Sequence, residues 1–439
     1  MTKFTDLGLS APILQALAAK GYEQPTPIQA QAIPPVLQGR DLCGIAQTGT
    51  GKTAAFALPS LHRLSSDAKI RKPKSCRMLV LAPTRELASQ IAESFVQYGK
   101  SLRLSVLTIF GGVPIPRQIR AMQAGVDIVV ATPGRLLDLI DQHAMTLRDV
   151  EILVLDEADQ MLDLGFIHAL KRIQRLVPQK RQTLFFSATM PKTIAELGEQ
   201  FLSSPVKVSV APPSTTAERV EQRAIFVNQS EKQALLTMKL KSEPVERALV
   251  FTRTKHGADR VVKNLVAAGI GANAIHGNKS QPQRERALAE FRSGQSPILV
   301  ATDIAARGID VGGVSHVFNF ELPNVAEQYV HRIGRTARAG KTGIAISFVS
   351  DGDEKNYLRQ IEKLTRVKLG IDPLPENFLQ EMARLPKPVA DTREDRRPDR
   401  RPDPRRHDGP NSATPKRHYG PRKGAPGAYR GAVRKTGGR

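Results

Sequence analysis

Short runs of consecutive apolar residues alternate with longer stretches of mixed polarity from about residue 40 to 350. In the first half the runs are Leu42–Ile45, Met78–Ala82, Ser105–Phe110, Ile128–Ala131, Ile152–Leu155 and Leu184–Phe186. In the second they are Ala248–Phe251, Ala272–Ile275, Ile298–Ala301, Val317–Phe320 and Ile344–Phe348. Runs that stay apolar, instead of alternating with polar residues, predict strands buried on both faces. The helix-compatible stretches between them predict crossovers, and so parallel sheets. The predicted fold class is α/β, with parallel sheets covered by helices. The pattern breaks at Ala211-Pro212-Pro213-Ser214-Thr215-Thr216-Ala217, which reads as a linker between two domains. A weak echo, Val129-Val130-Ala131-Thr132-Pro133-Gly134-Arg135 against Leu299-Val300-Ala301-Thr302-Asp303, suggests that the halves are duplicates.

Past about residue 386 apolar residues become rare and Pro, Gly and Arg take over. Such a segment buries too little apolar surface to offset the entropy of ordering, so a disordered basic C-terminal tail is expected. Residues 387–439 hold 16 Lys or Arg against 6 Asp or Glu, a net of +10 out of +23 for the 439-residue chain. That excess favours a polyanionic partner, nucleic acid or an anionic membrane surface, over a merely solvated charged surface. No apolar run approaches a bilayer span, and Met1-Thr2-Lys3-Phe4-Thr5-Asp6 lacks the apolar core of a signal peptide. A cytoplasmic protein without membrane attachment is expected. Two cysteines, Cys43 and Cys76, cannot make a disulfide framework and are expected as buried thiols.

The chemistry sits just after the apolar runs, where open α/β sheets bind ligands. Ala46-Gln47-Thr48-Gly49-Thr50-Gly51-Lys52-Thr53 reads as a phosphate loop opening a helix near Lys52. Glycines let backbone N–H groups close on phosphates, and the helix N-terminus adds a favourable field. Lys52 is expected to reach the β- and γ-phosphates and Thr53 to coordinate Mg²⁺. Asp156 ends the run Ile152–Leu155, a position from which a carboxylate holds Mg²⁺ through water; Glu157 then positions and deprotonates the attacking water. Arg335 and Arg338 lie three apart, so on a helix they would share a face.

The ordered series of the phosphate loop, Asp156-Glu157-Ala158-Asp159, Ser187-Ala188-Thr189 and His331-Arg332-Ile333-Gly334-Arg335-Thr336-Ala337-Arg338 resembles the DEAD-box family of ATP-dependent RNA helicases. The likeness runs over roughly the first 370 residues. It implies two tandem RecA-like domains, 1–210 and 218–372, joined by the linker 211–217 and followed by an extension, 373–439. Gly21-Tyr22-Glu23-Gln24-Pro25-Thr26-Pro27-Ile28-Gln29 is similar to the family's Q motif. There Gln24 and Gln29 would bind ATP, Gln29 reading the adenine edge, with Phe4 stacking on the base. The loop residues Gln47, Thr48, Gly49, Thr50, Gly51, Lys52 and Thr53 would hold the phosphates, and Gly308 and Asp310 would complete the nucleotide site. Arg335 and Arg338 would act as arginine fingers from the second domain. Asp159, Ser187, Ala188, Thr189, His331 and Arg332 would couple hydrolysis to domain movement.

The resemblance further implies an RNA face. Pro83, Thr84, Arg85, Gly111, Gly112, Thr132, Pro133, Gly134 and Arg135 would supply first-domain contacts. Arg253, His276, Gly277, Gln281, Arg284, Thr302 and Asp303 would supply second-domain ones. Hydroxyls, arginines and glycines suit phosphate and sugar. Aromatics make up 5% of the chain and Trp is absent, so a base-stacking platform is not expected. Single-stranded and short-duplex RNA read through backbone and 2′-OH is the expected partner, with ribosomal subunits or an RNA-decay complex as candidate assemblies. The short core followed directly by a basic tail is most similar to the bacterial RhlE-type group. Gln160, where relatives often carry a basic residue, and the proline-rich Val113-Pro114-Ile115-Pro116 depart from the pattern. The competing readings are a DNA translocase of the wider superfamily, a non-enzymatic RNA chaperone, and a P-loop transporter or GTPase.

Overall fold

Both expected sheets are present in the computed structural model, which describes residues 2–47, 49–67, 69–210, 220–306, 312–337 and 342–386. The first contains β1 (Leu42–Ile45), β2 (Cys76–Leu81), β3 (Val106–Ile109), β4 (Val126–Ala131), β5 (Ile152–Leu155), β6 (Gln182–Ser187) and β7 (Val206–Ser209). The second contains β8 (Val220–Phe226), β9 (Ala248–Phe251), β10 (Ala272–Ile275), β11 (Ile298–Ala301), β12 (His316–Asn319), β13 (Gly343–Val349) and β14 (Gly370–Ile371). Their spatial orders are β3-β4-β2-β5-β6-β1-β7 and β10-β11-β9-β12-β13-β8-β14, every pairing parallel. Adding seven to each label of the first order gives the second, so the sheets are topological copies. The sequence echo falls on β4 and β11, which occupy the same place in each.

Continuous apolar runs are explained by what lies on each face. Along β2, Met78 and Val80 enter one core with Phe56, Ile91 and Phe186, while Leu79 and Leu81 enter another with Leu136, Leu153 and Phe185. The second sheet divides likewise: Leu249 and Phe251 pack with Phe291 and Tyr329, and Ala248 and Val250 with Leu235 and Phe318. Cys43 and Cys76 are buried free thiols in β1 and β2, and burial pushes both above the usual thiol range.

Three strands escape the apolar-run criterion. Edge strand β7 is only partly buried along Val206-Lys207-Val208-Ser209. β8 carries Glu221, Gln222 and Arg223, since its sheet is closed on one side only by the two-residue β14. The proline-rich departure has a local reason: Pro116 stands in the first turn of the helix Ile115–Met122, where a missing N–H costs nothing. Met1–Val389 form one compact unit, and the helix Phe378–Arg384 joins it by packing Phe378 and Met382 against the second core. The expected linker 211–217 and the tail from 387 lie outside the described residues.

Candidate nucleotide cleft and nucleic-acid face

The phosphate loop leaves β1 and opens the helix Lys52–Ser66. Gly49 and Gly51 hold φ of +82° and +91°, a region costly for any side chain. At Gly51 there is also no room: a Cβ there would run into Nε2 of Gln29. That amide nitrogen donates to the Gly51 carbonyl (3.1 Å), while Oε1 of Gln29 accepts from the backbone N–H of Thr26 (2.9 Å). The Q-like segment is therefore fastened to the phosphate loop by one side chain. Lys52 is buried, its Nζ donating to the Ala46 carbonyl (2.9 Å), and Thr50 Oγ1 donates to the Gln47 carbonyl (2.7 Å).

Asp156 and Glu157 follow β5 into the same cleft and are 2% and 3% exposed, so both carboxyls face an interior. Burial pushes Asp156 up, against the pull of Lys52. Glu157 is pushed up to about 7 by burial first, then by Asp156 and Asp159, with Lys52 and Arg335 opposing. Its Oε2 has no hydrogen-bond partner among the described residues, and its backbone sits at φ +52°. A buried acid, short of partners and held in a sparsely populated conformation, marks a functional position.

A cleft of about 410 Å³ gathers Phe4, Gln24, Gln29, Gly49, Gly51, Lys52, Thr53, Asp156 and Glu157 from the first half and Arg335 from the second. Arg335 itself stands outside a helix. The helix Ala326–Ile333 ends at Gly334, whose N–H closes on the Val330 carbonyl, and Arg335 belongs to the turn beyond it. Thr48, Gly308, Asp310 and Arg338 lie outside the described residues.

The expected coupling residues meet in two groups. Oδ2 of Asp159 accepts from Ala188 N (3.2 Å), Thr189 N (3.0 Å) and Thr189 Oγ1 (3.0 Å), and the carbonyl of Ser187 accepts from Ala46 N (3.1 Å). The acidic motif, the Ser187–Thr189 turn and the phosphate loop thus share one hydrogen-bonded seam. In the second half Arg332 is fully buried and grips Asp303 through Nε (2.6 Å) and Nη2 (2.7 Å), with Nη1 on Asn319 and the Glu321 carbonyl. His331 lines a crevice with Asp163, Val325 and Glu327. Gln160 is buried at 2% exposure, which accounts for an uncharged residue there.

The expected RNA residues also converge. Thr84 caps the helix Arg85–Tyr98 by accepting from Leu87 N (3.3 Å), and Arg85 lies over the backbone of Gly112, where a Cβ would collide with it. Arg135, from the helix Pro133–Asp141 that follows Thr132, donates to the Val113 carbonyl (3.0 Å). Burial, then the charges of Arg284 and Arg135, lower the Arg85 pKa, so three guanidiniums crowd one place. Arg284 reaches from the second half to Glu86 (2.6 Å), with its Nη1 on the His276 carbonyl (3.0 Å). His276 Nε2 contacts Asp259 (2.9 Å) beside Gly277, and Arg253 donates its backbone N–H to Glu321 (2.7 Å). Gln281 is buried at the start of the helix Gln281–Ser293, while Thr302 and Asp303 follow β11. Sequence reasoning missed Glu86 as the partner of Arg284; its only signal was its place beside Arg85. It also missed Glu321, which stands in no motif.

The DEAD/DEAH box helicase family matches residues 26–197, and the helicase conserved C-terminal domain matches residues 230–340. The chain belongs to the DEAD/DEAH box helicase family. This helicase is 45% identical over 369 residues to the ATP-dependent RNA helicase CshA of Listeria monocytogenes, spanning 84% of this chain and 70% of the relative. It is likewise 45% identical over 369 residues to the DEAD-box ATP-dependent RNA helicase CshA of Geobacillus kaustophilus, spanning 84% and 78%. Among solved structures it resembles S. cerevisiae Dbp5 bound to RNA and ADP BeF3, with a TM-score of 0.76 and 31% identity over 88% of this chain and 99% of that one. The two parallel sheets are tandem RecA-like domains. No described helix is long and apolar enough to cross a membrane.

Proposed function

We propose that the chain is an ATP-dependent RNA helicase that binds RNA backbone across its two domains. It locally unwinds short duplexes, or remodels RNA–protein complexes, by RNA-stimulated ATP hydrolysis. The observation that carries this reading is the single cleft lined by Lys52, Thr53, Asp156 and Glu157 from one domain and Arg335 from the other. Hydrolysis then depends on how the domains meet. The residues 1–210 and 218–372 are assigned to the two domains, with 211–217 between them.

Preference for ATP follows from the bonds Gln29 has left. Its amide has two donors and two lone pairs. One donor serves Gly51 and one lone pair serves Thr26, leaving one donor and one acceptor. That pair matches adenine N7 and N6–H, whereas guanine offers two acceptors there. Lys52 neutralises the β- and γ-phosphates. Glu157, whose buried Oε2 has no hydrogen-bond partner among the described residues, takes the proton of the attacking water, and Arg335 offsets the charge that develops on the transferred group. Among the described residues no cluster of three or more His, Cys, Asp or Glu could hold a metal unaided. Mg²⁺ needs few protein ligands when phosphate oxygens supply the rest, and Thr53 with Asp156, largely through water, suits it. It would supply charge neutralisation between the phosphates.

The Arg85, Arg135 and Arg284 cluster suits a sugar–phosphate backbone, whose recognition carries little sequence preference. The RhlE-type grouping rests on the core-plus-tail architecture, while the relatives named above carry the name CshA. The tail from residue 387 acts as a non-specific RNA tether. Its deletion should flatten the salt dependence of single-strand RNA affinity by about 0.7 per lost phosphate contact, and an unchanged slope would refute the tether. ATP hydrolysis by the purified chain alone, with single-stranded RNA and with matched DNA tests the whole reading. Strong stimulation by RNA only is expected. Equal stimulation by DNA would make it a DNA translocase, and absent hydrolysis a chaperone.

A further inference from the structure

A lysine opens the first helix after the first strand in both domains. Lys52 begins the helix after β1, and Lys232 begins the helix Lys232–Ser242 after β8, the equivalent strand. The junctions match: Ala46 N donates to the Ser187 carbonyl (3.1 Å), and Val227 N to the Val349 carbonyl (3.0 Å). The loops differ, since Val227-Asn228-Gln229-Ser230-Glu231 contains no glycine. Lys232 is wholly buried, with Nζ donating to the Phe348 carbonyl (3.1 Å) and to Oε2 of Glu354 (2.5 Å). Glu354 is itself 3% exposed and stands in the first turn of the helix Asp353–Thr365 that follows β13. Its Oε2 also accepts from Ser350 N (2.8 Å) and Ser350 Oγ (2.8 Å), and its Oε1 accepts from Leu322 N (3.2 Å).

A lysine, two backbone N–H groups and a hydroxyl converging on one anion beside a helix N-terminus are the donor set that proteins use for phosphate. We propose that the second domain keeps an anion site of the phosphate class at its phosphate-loop position, and that the carboxylate of Glu354 occupies it from within. The domain is thereby closed to nucleotide phosphate while its donors stay matched. Burial works to raise the Glu354 pKa, but Lys232 and Ser350 outweigh it and hold the carboxyl low, as a resident anion requires. A buried ion pair of purely structural use needs its carboxylate on the chain. A phosphate-class site accepts an external anion instead.

The test is full-length Glu354→Ala beside wild type, melted against inorganic phosphate with chloride at equal ionic strength as control. Any phosphate response of the first domain is common to both proteins and cancels, so the outcome does not depend on the reading of that cleft. At phosphate about tenfold above its dissociation constant, the variant should gain roughly 3–6 °C more than wild type. Adding Lys232→Met should erase the gain. A variant that responds no more than wild type overturns the proposal. If Glu354→Ala does not accumulate as folded protein, refolding from denaturant in phosphate or in chloride decides. Recovery in phosphate alone supports the proposal, and no recovery in either overturns it.

Discussion

At the ends of β1 and β5 the first domain buries Lys52, Asp156 and Glu157, and leaves a carboxylate oxygen of Glu157 without a partner among the described residues. At the end of β8, the equivalent of β1, and after β13, the equivalent of β6, the second domain buries Lys232 and Glu354 and matches both oxygens of the acid to donors. Strand order and the helix-opening lysine are common to the two, so they do not determine which domain does chemistry. What differs is whether the buried charge is satisfied by the chain itself. A satisfied network rigidifies, whereas an unsatisfied one is costly until a ligand completes it. The fold is a shared frame, and function lies in the donors and acceptors left open on one copy.

The contrast can be broken most sharply at the point where the second domain enters the first domain's cleft. Arg335→Ala should lower RNA-stimulated ATP turnover by about 10³-fold or more, and a loss under about tenfold would remove it from the transition state. Next in size is Lys232→Met, which strands a buried carboxylate. It should cost about 3–5 kcal/mol in denaturant unfolding of the second domain, and a cost below about 1 kcal/mol would deny that the pair is interior.

Glu157→Gln sharpens the comparison from the other side, because it removes the unsatisfied charge. The folded-state pKa of about 7 exceeds the ordinary 4.5, so between these values the folded wild type binds more protons than the unfolded chain. Wild-type stability therefore falls as pH rises through that window, and the deficit is complete above it. Without nucleotide, the variant should be more stable than wild type by on the order of 2–3 kcal/mol at pH 8, and equal to it near pH 5. A gain that does not change with pH would contradict the assigned strain. The same variant should still bind ATP and RNA while hydrolysing poorly.

The smallest effect concerns two matching helix caps. Thr84 accepts from Leu87 N and Thr254 from Gly257 N, at the ends of the equivalent strands β2 and β9. Each change to Ala should cost about 1 kcal/mol of stability. Thr84→Ala should also weaken RNA binding more than Thr254→Ala does, and equal affinities would take Thr84 off the RNA face.

Most of the fold and of the cleft was legible because its signals are local. A strand buried on both faces announces itself as an unbroken apolar run, and β5, β9, β10 and β11 fall where those runs stand. Glycines at 49 and 51 and the acids after β5 are likewise read within a few residues. What escaped is non-local or exposed. β8 pairs on one side with a two-residue edge strand and tolerates Glu221 and Arg223, so it lacks the apolar signature. The Lys232–Glu354 pair joins positions 122 residues apart, and neither residue lies in a motif. Spacing alone does not reveal that Gly334 ends the helix and leaves Arg335 in the turn beyond it.

The position of β1 sets a schedule for synthesis. It pairs with β6 on one side and β7 on the other, Leu42 lying opposite both Leu184 and Val206. The strand that carries the phosphate loop is thus made first among those of its sheet, yet both of its partners are made last. At about 5–20 residues per second, its partners emerge roughly 10–30 s after it does. Through that interval the nascent chain has every glycine of the loop and no place to put them. A chain cut short before β6, at residue 182, would carry the motif on a strand with no neighbour to pair with.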